Sequence, residues 1–356
     1  MVMDFDENLP GADQVILQDI AESRELIQDS NLEPITLITG STGMIGSYLA
    51  EFYLGISMQS GTDFEIILCA RKFDANSERL RVLGNGKVKL VLNDQLSQYL
   101  ETNKLPKHII HAASPASVNN YLHDPLSLVE TNLTLTTMLC EHLKMVGGYF
   151  TFMSSGEVYG HSPSIPTQEN FEGVLNHLEE AFSYAEAKRA AEYILKSYST
   201  LEIFGVSIFR IYHAFGPGVR SNDTRIFATA INSVVNGSDV VLRSDGKATR
   251  GFLYMGDVAR AVLKKPHINN FSVFNLCGSK EISIYDFAKM ACDLSDGKSK
   301  VSFSDAGKVD AVSNNQIKRG FADTSLIRST GWVQQVTVAE GIARSIRSGL
   351  WRGKVI

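Results

Sequence analysis

Tyr184 and Lys188 lie four positions apart in the alanine-rich stretch Tyr184 to Tyr198, which predicts a helix and so puts phenol and ammonium on one face. Ser155 stands just beyond an earlier apolar run, Tyr149 to Met153, that predicts a strand. A phenol with a pKa of about 10 is a poor base at neutral pH, but an adjacent ammonium favours the phenolate. A serine hydroxyl in reach could then hydrogen-bond the reacting oxygen, completing an acid/base site. The spacing alone also fits an aromatic and a solvated lysine on an amphipathic helix, so a second motif has to carry the argument.

That motif is Thr39-Gly40-Ser41-Thr42-Gly43-Met44-Ile45-Gly46, a GxxGxxG loop between an apolar strand, Ile35 to Thr39, and a helix opening at Ser47-Tyr48-Leu49-Ala50. Gly40 permits a tight turn, Gly43 a close approach to a pyrophosphate, and Gly46 close helix packing, while the helix N-terminus offers N–H donors. A plain strand-to-helix turn would look the same without its flanks. With them, the loop predicts dinucleotide binding through Gly40, Thr42, Gly43, Met44, Ile45 and Gly46, and a bound nicotinamide would further favour the Tyr184 phenolate. The second strand ends Leu68-Cys69-Ala70-Arg71-Lys72, without the carboxylate that holds the ribose hydroxyls of NAD. Arg71 could accept the 2′-phosphate of NADP, stack on adenine, or lie in solvent.

These residues need a scaffold. Short β-branched runs (Ile35 to Thr39, Glu65 to Ala70, Val88 to Leu92, His108 to His111, Tyr149 to Met153, Val206 to Ile211) alternate with helical stretches, predicting an α/β fold with a doubly wound parallel sheet of the Rossmann type. Residues 1–33 form an extension with one helix over Asp13 to Gln28, expected to serve in packing. Residues 34–215, with a returning segment near 256–276, form the dinucleotide-binding domain. Residues 216–255 and 277–356 form a smaller C-terminal substrate-binding lobe. The stretch Leu126 to Leu143 is too apolar for a helix with one solvent face, and together with Tyr184 to Tyr198 it predicts a homodimer.

A formal net charge of -5 shows no basic excess for neutralising nucleic-acid phosphate, so no nucleic-acid partner is expected. Cys69, Cys140, Cys277 and Cys292 form no CxxC pair, arguing against a zinc site or a disulfide framework and for a cytoplasmic protein without metal. No run approaches the apolar length of a membrane helix, and the acidic start is unlike a signal peptide.

Thr39 to Gly46, His111-Ala112-Ala113, Asn132, Ser155 and Tyr184 to Lys188 together resemble the extended short-chain dehydrogenase/reductases, the NAD-dependent epimerase/dehydratase family, over nearly everything after residue 34. The segments His111 to Ser117, Asn120-Tyr121, Pro125, Ser155 to Gly160, Arg210 to Pro217, Asn222 to Arg225 and Thr249 to Phe252 are most similar to UDP-glucuronate decarboxylases. The resemblance implies an NAD(P)-dependent enzyme that oxidises a nucleotide sugar at carbon 4, lets the β-keto acid lose carbon dioxide, and returns the hydride. It implies Tyr184 as base, Lys188 as its modulator, Ser155 on the reacting oxygen, and Glu157 near the substrate carboxylate. Arg71, Ala112, Ala113, Ser114, Asn132, Tyr184 and Lys188 would join the glycine loop in holding the cofactor, NAD or, because of Arg71, NADP. Ser114, Ser155, Gly156, His213, Asn222, Arg225 and Arg250 would meet the substrate. Arg250 also suits a surface salt bridge, and Glu157 a helix cap.

The departures are informative. Arg71 replaces the family's acid. His213 replaces an Asn and would make the site respond to pH. Gly156 stands where 4,6-dehydratases carry an acidic Asp, which weighs against dehydration. A 4-epimerase, 4-reductase or 4,6-dehydratase uses the same Tyr, Lys and Ser and stays open as an alternative. A non-catalytic dinucleotide-binding regulator would be expected to lack the Tyr and Lys.

Overall fold

Aliphatic runs that bury both faces build the centre of the molecule. In the computed structural model, which describes residues 12–28, 32–60, 64–103, 106–115, 124–162, 164–218, 223–265, 270–304 and 319–348, these runs are β1 (Ile35–Thr39), β2 (Glu65–Ala70), β3 (Val88–Leu92), β4 (His108–His111), β5 (Gly148–Ser155) and β6 (Phe204–Ile211). With a seventh strand, Phe271–Leu276, they form one sheet in the order Phe271–Leu276, β6, β5, β4, β1, β2, β3. Every pairing in it is parallel. This is the predicted doubly wound sheet, with β5 three residues and β6 two residues longer than the expected strands. Leu37, Ile67, Ile109, Phe150 and Ile208 face a layer with Leu139, Leu143, Ala191 and Leu195. Ile38, Ile66, Ile110, Met153 and Phe209 face the opposite layer with Tyr48, Phe52, Val258 and Val262. Burial on both sides explains why these strands show no polar alternation.

The strand order turns back between β1 and β4, opening a crevice at their carboxyl ends. Helix α3 (Met44–Ser60) starts there after the glycine loop, and the helix Ser183–Ser199 packs across β5 and β6. The predicted helix over Leu126 to Leu143 is not a uniform α-helix. Pro125–Val129 and Leu135–Val146 are joined by a π-helical turn, Glu130–Thr134, a wider winding often found at functional positions. Leu128, Leu139 and Leu143 are buried by the chain itself, and small residues Ala187 and Ala191 let the helix Ser183–Ser199 approach them. All four cysteines are buried free thiols. No described helix is long and apolar enough to cross a membrane.

The extension holds two helices rather than one, α1 (Gln14–Ala21) and α2 (Arg24–Gln28). Asp13 caps α1 by accepting from the Val15 and Ile16 amides, and the Ser23 hydroxyl donates back to the Asp19 carbonyl at 2.7 Å where the helix stops. Asp19 is wholly buried. Its carboxylate accepts from Tyr48 of α3, from Tyr254 at 2.8 Å, and from Arg344 of the helix Val338–Arg347. Burial pushes the Asp19 carboxyl up, while Tyr48, Arg344 and Tyr254 oppose it. Arg344 also pairs with Glu22 at 2.7 Å and Glu340 at 2.9 Å.

Removing one partner of a buried ion pair leaves the other charge uncompensated, and Asp19, unlike Arg344, has no second ion-pair partner among the described residues. Arg344→Ala is therefore expected to cost about 3–5 kcal/mol of stability, read by urea unfolding. A loss within experimental error would show that the extension does not brace the fold.

Candidate functional site

The glycine loop is shaped by contacts no side chain could share. Gly40 has φ +67°, and a Cβ there would lie 2.6 Å from the backbone of Ala113, at the end of β4. A Cβ on Gly46 would sit 2.2 Å from the Gly40 carbonyl oxygen. At Gly43 a Cβ would meet only that oxygen, at 3.3 Å, so its outer side is left to a ligand. Thr42, Met44 and Ile45 complete the turn into α3. Thr39 joins the two strands at the crevice floor: its hydroxyl meets His111 Nδ1 at 2.6 Å and accepts from the Ala113 amide at 3.4 Å. Burial, followed by the Lys188 charge, holds His111 down at about 3, so this hydrogen bond involves neutral imidazole.

Opposite the loop, Asn132 sits in the π-helical turn, fully buried. Its amide donates to the Ser114 hydroxyl at 3.0 Å and to the Leu128 carbonyl at 2.9 Å, while its carbonyl oxygen is buried without a protein partner. A buried unsatisfied acceptor needs a donor. With the glycine cradle it fits a dinucleotide, and Ala112, Ala113 and Ser114 line the same strand end. Arg71 is exposed at the end of β2, where its guanidinium donates to Ser127 Oγ at 3.1 Å. The nearest following carboxylate, Asp74, is engaged in capping the helix Ala75–Leu83 through the Ser77 amide at 2.9 Å.

Tyr184 and Lys188 open the helix Ser183–Ser199 and are both buried. Lys188 Nζ donates to the Met153 carbonyl at 2.8 Å and lies 5.9 Å from the Tyr184 ring centroid. Burial pulls its pKa down to about 7, with the Glu192 charge opposing. Ser155 ends β5, and its hydroxyl caps the turn Gly156–Tyr159 by accepting from the Glu157 amide at 3.2 Å. Glu157 is thus the residue being capped, and its side chain is free to serve the cleft.

Glu157, His213, Arg225 and Arg250 form one electrostatic group. Crowding by protein raises the Glu157 carboxyl, with Arg225 and Arg250 pulling the other way, although one side of the group opens to solvent. His213, left-handed at φ +41°, is held at about 3 by the same crowding and by Arg250 and Arg225. The ring nevertheless keeps a solvent-exposed side. Arg225 is engaged by Asp223 at 2.5 Å, and Arg250 donates to the Thr249 carbonyl at 2.8 Å. Gly156 has a structural reason, since a Cβ there would lie 2.5 Å from the Tyr212 ring. Asn222 lies outside the described residues. Unanticipated in the sequence were Thr39, His111 and Glu192; the last repeats the four-residue step from Tyr184 to Lys188, a legible sign that it shares their face.

Fold and crevice together define a dinucleotide-dependent α/β enzyme. The model of the NAD dependent epimerase/dehydratase family matches residues 36–276, and the chain belongs to that family. Among characterised relatives, UDP-glucuronic acid decarboxylase 1 of Xenopus tropicalis is 29% identical over 87% of this chain and 70% of its own length. The Arabidopsis thaliana protein of the same name is 25% identical over 87% and 68%. Among solved structures, UDP-glucose 4-epimerase of Thermotoga maritima with UDP-glucose superposes with a TM-score of 0.73 at 20% identity, covering 88% of this chain and 97% of that one. UDP-glucuronic acid 4-epimerase of Bacillus cereus, with UDP-glucuronic acid and NAD, gives 0.70 at 20% identity over 88% and 98%.

If Arg71 meets a 2′-phosphate, Arg71→Asp should weaken NADP binding by about tenfold more than NAD binding, the scale of one lost charge-assisted hydrogen bond. Fluorescence titration with each reduced cofactor measures this, and equal affinities before and after would put Arg71 outside the site.

Proposed function

We propose that this chain remodels a nucleotide sugar by transient oxidation at carbon 4, with decarboxylation of UDP-glucuronate as the reaction. The observation that carries this reading is the grouping of Glu157, Arg225 and Arg250 in a crevice that also holds Ser155, Tyr184 and Lys188. Support comes from the decarboxylases it is similar to, which cover most of the chain. Residues after about 216, apart from the helix Met255–Lys264 and the strand Phe271–Leu276, supply the substrate lobe in this reading, and the crevice side supplies the cofactor domain.

Tyr184 takes the proton of the carbon 4 hydroxyl while Ser155 donates a hydrogen bond to the same oxygen. Lys188, positively charged, favours the phenolate that this requires. NAD, held by the loop Gly40 to Gly46 and by Asn132, would supply the hydride acceptor for carbon 4 and the donor on return. With a ketone at carbon 4 the carboxylate lies β to a carbonyl, and departure of carbon dioxide leaves an enolate, which takes a proton from water at carbon 5 to become the ketone that is then reduced. Arg250 speeds that step only by holding the enolate more strongly than the carboxylate, since equal stabilisation of both leaves the barrier unchanged. His213 and cationic Arg225 then serve the diphosphate, as hydrogen-bond donor and counter-charge. The second reading, 4-epimerisation of UDP-glucuronate, draws on the fold of the Bacillus cereus enzyme. It needs the same oxidation but spares carbon 6.

Incubation with UDP-, GDP-, CDP- and dTDP-sugars, read by mass spectrometry, separates the outcomes: decarboxylation and dehydration each lower the mass by a different amount, and epimerisation leaves it unchanged. Tyr184→Phe is expected to lower turnover by at least about 100-fold with NAD binding retained, and near-normal turnover would remove Tyr184 from its role. Arg250→Ala should accumulate the keto-sugar. Weak substrate binding without accumulation would make Arg250 a diphosphate clamp instead.

The proposed homodimer uses the face where Leu126 (73% exposed), Val129 (47%) and Tyr193 (73%) remain uncovered. Light scattering should give twice the chain mass of 39.2 kDa, and a monomer at micromolar concentration would refute it.

A further inference from the structure

Behind Ser155 and Lys188, on the side away from the crevice, lies a buried ion pair that the chemistry above does not use. Glu192 continues the face of Tyr184 and Lys188 by one further four-residue step and is 8% exposed. One carboxylate oxygen accepts from Ser154 Oγ at 2.5 Å. Arg210 grips the carboxylate in a fork, Nε at 3.1 and 3.2 Å and the terminal nitrogen at 2.6 Å. Arg210 lies opposite Ser154 in the β5–β6 register. Its other nitrogen donates to the Tyr159 hydroxyl at 2.8 Å and to the Glu169 carbonyl at 3.0 Å, and Tyr159 in turn donates to Asn275 at 2.8 Å.

We propose that Glu192 is a positioning residue for the oxidation step: through Ser154 it fixes Ser155 against Tyr184 and Lys188, and it sets a buried carboxylate one helical turn beyond Lys188. The proposal rests on the reading of Tyr184, Lys188 and Ser155 as the acid/base group. Two successive residues of β5 are tied to one helix, Met153 through its carbonyl to Lys188 and Ser154 through its hydroxyl to Glu192. The next residue, Ser155, therefore has little freedom to move relative to that helix. Near-attack geometry is sensitive to displacements of this size, where about 1 Å can cost 100-fold in rate.

The charge argument runs in the same direction. Lys188 faces Tyr184 and Glu192 on its own helix, the Phe152 ring at 4.5 Å and the Met153 carbonyl on β5, His111 on β4, and, beyond Glu192, Arg210 on β6. His111 is neutral, and Arg210 repels an ammonium. Glu192 is thus the anion among these groups. Burial draws Lys188 to about 7 even with Glu192 present, so loss of that carboxylate should leave Lys188 uncharged at neutral pH.

The test uses the full chain labelled with carbon-13 at lysine Cε, with the Lys188 resonance assigned by its disappearance in Lys188→Arg. In Glu192→Gln the Lys188 midpoint should fall by about 1 pH unit, and turnover of UDP-glucuronate with NAD at pH 7 by about fivefold, as the protonated fraction drops. Glu192→Asp, which keeps the charge, should restore the midpoint. Ser154→Ala leaves the ion pair intact and should keep the midpoint while lowering kcat about tenfold at constant KM and NAD affinity. A folded Glu192→Gln protein with an unshifted Lys188 midpoint overturns the charge role, and an unaltered kcat in Ser154→Ala overturns the positioning role, including where Glu192→Gln does not fold. The lysine titration needs no substrate. Should Tyr184→Phe remain fully active, the catalytic reading falls while the midpoint still judges Glu192.

Discussion

Backbone pressed on backbone at the crevice floor governs everything built above it. Gly40 turns against Ala113 with no room for a Cβ, and Gly46 turns against Gly40 with less. Because β1 and β4 are neighbours in the sheet, this contact decides where α3 begins and where the strand end bearing Ala112 to Ser114 can stand. The Thr39 hydroxyl, bonded to His111 and to the Ala113 amide, ties the same two strands from within. Any widening here would move the start of α3 away from the crevice and dissolve the anion-binding end of the helix. Thr39 and His111 are tolerated as buried polar groups here because hydroxyl and imidazole Nδ1 satisfy each other across the strand pair.

On that floor the site is assembled from elements of distant sequence. The helix Ser183–Ser199 brings phenol and ammonium, β5 brings a hydroxyl, and the segment around Thr249 to Tyr254 brings the guanidinium that faces Glu157. The charges are arranged unequally. Lys188 is wholly enclosed, with burial drawing its pKa down to about 7, whereas Arg225 and Arg250 sit where solvent still reaches. A proton can thus be handled in the dry half of the crevice and an anion received in the wet half. His213 belongs to the second half by position, where crowding, and after it Arg250 and Arg225, disfavours its charged form.

Much of this was legible in the residues. Two-sided apolar runs named the sheet, and GxxGxxG and YxxxK named the loop and the helix face, because each motif follows from local geometry. Contacts across the fold were not legible. Nothing in the run from Leu126 to Leu143 marks a π-helical turn, since the same apolar period fits an unbroken helix. What disfavours the charged form of His213, crowding first and then Arg250 and Arg225 of later segments, lies across the fold. Gly156 read only as a missing acid, while its cause, the Tyr212 ring, lies 56 positions along the chain. Glu192 was legible by spacing, but its importance depends on Arg210 in the neighbouring strand.

Asp19 carries a consequence for how this protein comes to be made. Its cationic partner Arg344 lies 325 positions further along the chain. During synthesis α1 emerges early and must wait for most of the polypeptide to follow before that pair can close. Contacts between such distant residues are slow to form, because the loop between them is ordered before the contact rewards it. Until then an amphipathic helix with a polar group on its packing face is on display. The polar group of α1 therefore finds its full set of partners only when the helix that carries Arg344 docks.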